Sequence, residues 1–416
     1  MTFRAEAIRP LFPALSHRAD DGTLPVFLDN PAGTQVPQMV IDAVSSYYRT
    51  MNANSGGSFA TSKRNDAMVA ETRRAMADFL NAPSPAEIVI GPNMTTLCFA
   101  LSRAIAQTLS PGDEIVLTRM DHDANVAPWT LIARDRGLQV KWVDIHADDC
   151  TLDMGSLEAA LSDKTRLVAT VHASNAVGTI NPVDQIADMA HAVGAWHVVD
   201  AVQSAPHVPI DVQALGCDFL LCSSYKFYGP HLGVMWGREE LLNRLPVYKV
   251  RPAKDAAPWR WEVGTPSYET WHGLLACLEH WQTIGREFGG VDLPQYAGRA
   301  ATMKRGLLAV QAYERELVTA LIDGLGAIKG VSIAGITDSA RFDWRVPTVA
   351  MVKEGMTPDE IAEFMAEHHV YVWSGDYYAQ EIMQRLQRPQ GMVRIGIGQY
   401  NSRAEIDRLL DLLEAI

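Results

Sequence analysis

Three runs decide the fold: Trp196-His-Val-Val-Asp200, Asp218-Phe-Leu-Leu-Cys222 and Gly233-Val-Met-Trp236. Each is short and apolar at adjacent positions, which suits a strand covered on both faces. Toward the N-terminus the same texture recurs in Glu114-Ile-Val-Leu-Thr118, Gln139-Val-Lys-Trp-Val-Asp-Ile145 and Arg166-Leu-Val-Ala-Thr-Val-His172. Helix-like segments lie between, near Met94 to Leu109, Asn125 to Asp135, Met154 to Leu161 and Val183 to His191, with breaks such as Ser110-Pro-Gly112 and Gly229-Pro230. This alternation predicts a mainly parallel α/β sheet. After about Thr270 the texture changes to long helical patterns, Trp271 to Gly285 and Gln295 to Leu325. Strand candidates follow at Thr348 to Val352, Val370 to Trp373 and Met392 to Ile395, before a closing helix from Arg403 to Ala415. A smaller α+β domain is expected there, with a cleft between the two. The paired His368-His369 falls in a predicted helix, where the two rings diverge, and receives no role.

The 416 residues carry 36 Lys plus Arg against 49 Asp plus Glu, a formal net charge of −13, and 48% of them are hydrophobic. Such a composition belongs to a globular protein and excludes collagen, coiled coil and disorder. The acidic balance disfavours a nucleic-acid or anionic-membrane partner, since phosphate binding needs clustered Lys and Arg. No apolar stretch approaches the roughly 20 residues of a membrane span. Arg4, Glu6 and Arg9 interrupt the N-terminal stretch, unlike a secretory signal, so a cytoplasmic location is expected. Five cysteines, Cys98, Cys150, Cys217, Cys222 and Cys277, form neither a disulfide framework nor a metal-binding pair.

In an open parallel sheet the ligand sits beyond the C-terminal strand ends, so the residues just past each run matter most. Lys226 follows Leu220-Leu-Cys-Ser-Ser-Tyr and precedes the turn Phe227-Tyr-Gly-Pro230. A partly desolvated lysine there has a lowered pKa and an amine nucleophilic enough for a Schiff base; the alternative is a surface charge. Asp200 ends an apolar run, where an ionised carboxylate needs a partner such as a pyridinium N–H, unless it serves as a turn acid. Gln203 can reach a ring hydroxyl from the same loop. Gly91-Pro-Asn-Met-Thr-Thr-Leu97 opens a helix, and Thr95 and Thr96 add hydroxyls to an end that either binds phosphate or is simply capped. Arg394, inside an apolar run, requires an anion, either a substrate carboxylate or a structural ion pair. His122 stands between acids, but no second ligand follows at metal spacing, and no metal site is expected. A dinucleotide fingerprint, a P-loop and a nucleophile elbow are all missing from the sequence.

Seven segments in order carry a resemblance. They are Phe27-Leu-Asp-Asn-Pro-Ala-Gly33, Asp121-His-Asp-Ala-Asn-Val-Ala-Pro-Trp129, Val171-His-Ala-Ser-Asn-Ala-Val-Gly-Thr-Ile-Asn-Pro182, Asp200-Ala-Val-Gln-Ser-Ala-Pro-His207, Ser223-Ser-Tyr-Lys-Phe-Tyr-Gly-Pro230, Glu262-Val-Gly-Thr-Pro266 and Arg394. Together they resemble the class V aminotransferase family of pyridoxal 5'-phosphate enzymes, most closely its cysteine desulfurase-like branch. The resemblance implies the fold type I architecture: a large domain, residues 26–270, with a mainly parallel seven-stranded sheet, connecting helices at 271–310 and a small α+β domain at 311–416. Residues 1–25 would pack on the small domain. It also implies a homodimer with shared active sites. Lys226 would hold the cofactor as a Schiff base and move the Cα proton. Asp200 would pair with the pyridine nitrogen, Gln203 with the ring oxygen, and His122 would stack on the ring face. Thr95, Thr96 and Ser223 would hold the phosphate, with Thr265 reaching it from the partner subunit. Tyr225 occupies a phosphate-side position that is usually a histidine in the family. Asn175 and Arg394 would bind the carboxylate of a small amino-acid substrate.

One departure bears on the reaction. In the desulfurases a loop shortly before the carboxylate arginine carries the cysteine that attacks substrate sulfur. Here that stretch reads Val372-Trp-Ser-Gly-Asp-Tyr-Tyr-Ala-Gln380, Tyr378 stands where the thiol would be, and no cysteine lies after Cys277. Trp373, Tyr377 and Tyr378 would form an aromatic wall with hydroxyl donors against the substrate, or else pack within the small domain. The reading is an enzyme that forms an external aldimine with an α-amino acid, abstracts the Cα proton and eliminates across a carbon–sulfur bond without a persulfide. Transamination and epimerisation are the alternatives, and a non-catalytic pyridoxal-phosphate protein is a third.

Overall fold

The computed structural model describes residues 2–416. Its centre is a seven-stranded sheet formed by β2 (Ile88–Gly91), β3 (Glu114–Thr118), β4 (Gln139–Val143), β5 (Thr165–Val171), β6 (Trp196–Asp200), β7 (Phe219–Ser223) and β8 (Gly233–Gly237), after a short β1 (Val26–Phe27) that lies elsewhere. The order across the sheet is β2-β8-β7-β6-β5-β3-β4, and β8 alone runs antiparallel to its neighbours. Alternate side chains point to opposite faces. Ile88, Ile90, Leu220 and Cys222 thus join one core with the helices Ala60–Leu80, Tyr268–Phe288 and Gly298–Ala327. Val89, Phe219 and Leu221 join another with the helices Met94–Ala106 and Ala127–Arg136. Burial on both faces is what produced apolar runs without alternation.

A smaller antiparallel sheet holds β9 (Val331–Ala334), β10 (Thr348–Lys353), β12 (Trp373–Gly375) and β13 (Met392–Gly396), in the order β12-β13-β10-β9. The run expected as one strand from Val370 to Trp373 breaks at Val372. Its first part, β11 (Val370–Tyr371), pairs in parallel with β1, and its second part enters the small sheet. The helix before it ends at Glu367 with His368 as its C-cap, so the paired histidines lie past the helix. His369 adopts a left-handed φ of 54° and its Nε2 lies 3.0 Å from Asp21.

The two units interlock. The expected division between residues 310 and 311 falls within the unbroken helix Gly298–Ala327. Likewise, Val26 and Phe27 pair with the small unit's chain and Asp29 bridges to Gly396. The N-terminal segment straddles both units. Arg9 reaches Glu405 at 2.8 Å and the Tyr400 carbonyl at 2.6 Å, while Phe3, Ile8, Phe12 and Leu15 enter the large core because their apolar surface finds Phe288, Tyr228 and Trp281 there. Another core joins Val116, Val143 and Val168 of the large sheet to Tyr377, Ile382 and Met392, and so fixes the loop before Arg394 against the parallel strands.

Candidate active site

Parallel strands deliver their C-terminal ends to one edge, and the predicted residues meet there. Asp121 and His122 follow β3, Asn175 follows β5, Asp200 ends β6, and Ser223 to Lys226 follow β7. One cavity is lined by Thr95, His122, Asn175, Asp200, Gln203, Ser223, Tyr225 and Lys226. Arg394, Trp373 and Tyr378 do not line it, and Thr96 and Thr265 lie on an adjoining cavity of about 490 Å³ that is also lined by His231, Arg103 and Arg260.

Lys226 is buried on the turn Ser224–Lys226, and its Nζ donates to the Pro31 carbonyl. Burial and then the charge of Arg394, opposed by Asp200, bring its pKa down to about 7. The Asp200 carboxylate accepts from the Val202 amide at 2.9 Å. Burial raises its pKa to about 6, against the Val202 bond and Lys226. An acid that ionises only at a cost is suited to a cationic N–H partner. Gln203 is held at 3.1 Å by the Thr348 hydroxyl, and its Oε1 is buried without a partner.

The helix Met94–Ala106 starts at the cavity wall. Its cap Asn93 takes the Thr96 amide at 2.8 Å, so the Met94 and Thr95 amides precede the first intrahelical bonds and remain for an anion. The helix start fits because β8 begins with Gly233: a Cβ there would lie 2.2 Å from the Asn93 carbonyl carbon.

His122 Nδ1 accepts from the Ala124 amide at 2.9 Å, which places the ring's proton on Nε2. Burial, then the charges of Lys226 and Arg394, lower its pKa to about 4 and keep the ring neutral. One face stacks on Tyr378, with centroids 5.6 Å apart. Arg394 lies 4.4 Å above the Tyr377 ring and donates to the Asn175 carbonyl at 2.9 Å, while its Nε has no partner. The Asn175 side-chain amide donates to the Tyr377 carbonyl at 3.0 Å, leaving Oδ1 unpaired. Trp373 faces Arg394 across β12 and β13 and is 50% exposed; Tyr378 is 70% exposed.

Two members of the site received no role in the sequence reading. Asp29 approaches Arg394 through the bridge to Gly396, and burial raises its pKa to about 6 against the pull of Arg394. Asp121 is held by Thr118 and by Asn125, the latter at 2.7 Å, and burial raises its pKa to about 8. Both lie in motifs quoted from the sequence, Phe27 to Gly33 and Asp121 to Trp129. No cluster of three or more potential metal ligands exists among the described residues. A primary amine of lowered pKa, a buried acid, an unpaired amide oxygen and an open helix N-terminus fit pyridoxal phosphate.

The aminotransferase class-V family matches residues 26–288 and 297–409. A probable cysteine desulfurase from Streptomyces coelicolor is 31% identical over 99% of this chain and 96% of its own length. Among solved structures, a cysteine desulfurase from Thermococcus onnurineus superposes with a TM-score of 0.86 at 27% identity, covering 99% of this chain and 97% of that one. The cysteine desulfurase CsdA from Escherichia coli does so at 0.83 and 26%, covering 100% and 98%.

Proposed function

The chain belongs to the class V aminotransferase family of pyridoxal-phosphate-dependent enzymes, and on that premise we propose that it splits a carbon–sulfur bond of an α-amino acid by β-elimination, with no persulfide on its own chain. The observation that carries this is the loop at the site's mouth. Tyr378 caps His122 there, and all five cysteines are buried, none of them in that loop.

The bound cofactor withdraws electrons from the substrate's Cα, which is the chemistry the residues exploit. Lys226 would hold the cofactor and, as the neutral amine that its environment favours, take the Cα proton at Nζ. Asp200 would sustain the charge on the pyridine nitrogen, and Gln203 would meet the ring oxygen. Thr95, Thr96 and Ser223 would bind the phosphate. Arg394, with the second amide N–H of Asn175, would fix the carboxylate and align Cα–H for cleavage. His122 would cover the ring and offer its Nε2 proton to the departing sulfur. With one water consumed, the products are a thiol, ammonia and pyruvate, and no oxidant is needed.

Tyr248, Val250, Trp259 and Val263 are exposed around the loop that carries Thr265. They support a homodimer in which Thr265 reaches the partner's site, since this much exposed apolar surface calls for a cover.

The test is the visible spectrum of the purified protein during addition of L- and D-amino acids, including cysteine and cystine, followed by product analysis. Pyruvate with sulfide or a thiol is the expected outcome. Turnover that depends on a second keto acid would establish transamination instead, and a yellow protein that ignores every amino acid would refute the lyase.

A further inference from the structure

The site's phosphate side is flanked by two cavities whose linings have no residue in common but follow one another along the same two chain segments. At the start of the helix Met94–Ala106, Thr95 faces the cofactor cavity while Thr96 faces the adjoining one. On the opposite wall, Tyr225 lines the first and His231 the second. Their rings are stacked nearly parallel, centroids 5.0 Å apart and 10° between planes.

Tyr225 is well anchored. Its carbonyl accepts the amide and the hydroxyl of Thr34, each at 3.1 Å, and its ring lies against Gly33, where an added Cβ would touch Cδ2 at 3.4 Å. The anchored backbone thus sets where the ring carries the exposed imidazole of His231. The two arginines that line the adjoining cavity are partly engaged elsewhere, with Arg260 Nε left unpartnered. Arg103 donates to the Phe99 carbonyl at 2.8 Å, and Arg260 donates to the carbonyls of Asn243 and Leu245. A phosphate placed at the open helix end would have amides and hydroxyls as donors, and the imidazole that the Tyr225 ring carries beside the cofactor cavity is that of His231.

We propose that His231 is a ligand of the cofactor's phosphate, carried to that position by its stack on Tyr225. The proposal rests on the family's cofactor and adds a residue to its binding. His231 would donate a ring N–H to a phosphate oxygen, and Tyr225 would orient the ring.

The test compares wild type with H231A, H231Q, Y225A and the H231A/Y225A double variant. Each is stripped of cofactor and titrated with pyridoxal phosphate by absorbance, with the phosphorus resonance of the bound cofactor and the oligomeric state recorded alongside. Loss of a hydrogen bond to a charged group predicts at least about tenfold weaker binding in H231A, with a shifted phosphorus resonance. H231Q, which keeps a donor, should recover part of the loss. Y225A should weaken binding as well, and the double variant no more than the worse single one, as for two residues acting as a unit. Binding by H231A within about twofold of wild type would overturn the assignment alone. A weaker affinity accompanied by subunit dissociation would overturn it in favour of an interface role. Wild-type protein that takes up no cofactor would overturn the family reading beneath it.

Discussion

Lys226 shows how burial sets reactivity. An ordinary lysine ammonium titrates near 10.5, but this one is brought to about 7, mainly because the surrounding protein solvates its charge poorly. Only the neutral amine attacks a carbonyl. The rate at which the apoenzyme takes up pyridoxal phosphate should therefore rise with pH up to about 7 and then level off. Stopped-flow absorbance between pH 5.5 and 10 checks this, and a rate still climbing tenfold per pH unit through pH 9 would show an unperturbed amine. Lys226→Ala should abolish the visible chromophore, and a variant that stays yellow would refute the assignment of that lysine. Arg394 sits at the other end of the same field. Arg394→Ala removes a charge-assisted contact worth about 10- to 100-fold, and the loss should appear in KM while cofactor affinity is retained. A parallel loss of cofactor would mean that Arg394 supports the pocket and not the substrate.

Among the elements, the loop Asp376–Ala379 holds two adjacent residues, Tyr377 and Tyr378, at left-handed φ values of 55° and 56°. Each such residue costs about 1–3 kcal/mol unless its surroundings impose it. Here they do. Asp376 takes the Tyr378 amide at 2.9 Å, the Asp123 amide holds the Tyr378 carbonyl at 2.7 Å, and Asn175 holds the Tyr377 carbonyl. The loop is thus built to present the Tyr378 ring to His122. Tyr378→Ala should reduce kcat/KM by about tenfold or more with cofactor uptake intact, and Tyr378→Phe should change the kinetics through loss of the hydroxyl. If Tyr378→Phe leaves every kinetic constant alone, the loop does not shape the chemistry. The helix start at Asn93 makes a different demand. Gly233→Ala drives a methyl into the Asn93 backbone, which should cost about 1–3 kcal/mol and weaken cofactor binding, measured as a lower Tm and a higher Kd. The central strands were legible because both faces are buried, and β6 and β7 fall within a residue of their apolar runs. The helix Ala60–Leu80 was not, because it buries Ser62, Asn65, Thr72 and Arg73 among its apolar residues and so lacks an apolar stripe. The strand-end site residues share this legibility. The proximity of Asp29 to Arg394 does not, since it arises from pairing between opposite ends of the chain.

For the whole molecule, the loop bearing Thr265 is held by a buried pair that ties it to the large sheet. Arg73 grips Glu262 with both terminal guanidinium nitrogens, the Ile90 amide donates to the same carboxylate at 2.9 Å, and the Trp271 ring lies 4.9 Å from the guanidinium carbon. A desolvated ion pair of this kind is a costly way to stabilise a surface loop, but a good way to fix its direction. Just beyond the pair, Val263 and Thr265 stand in the open, beside the exposed Tyr248 and Trp259. A rigid loop with an apolar exposed flank has the form expected of a subunit contact, and Thr265 would then complete the neighbouring phosphate site. The family resemblance in the sequence implies the homodimer and the reach of Thr265, but not the apolar flank, since apolar residues destined for an interface look like any others. Replacing both Tyr248 and Val263 by Asp places two charges on that flank, where an apolar interface cannot solvate them. The doubly substituted protein should sediment as a monomer where wild type sediments as a dimer, and should lose cofactor faster on dilution because each site lacks the partner's Thr265. A wild type that is monomeric at micromolar concentration, or a charged variant that stays dimeric and keeps its cofactor, would separate the phosphate site from subunit assembly and leave each chain catalytically complete.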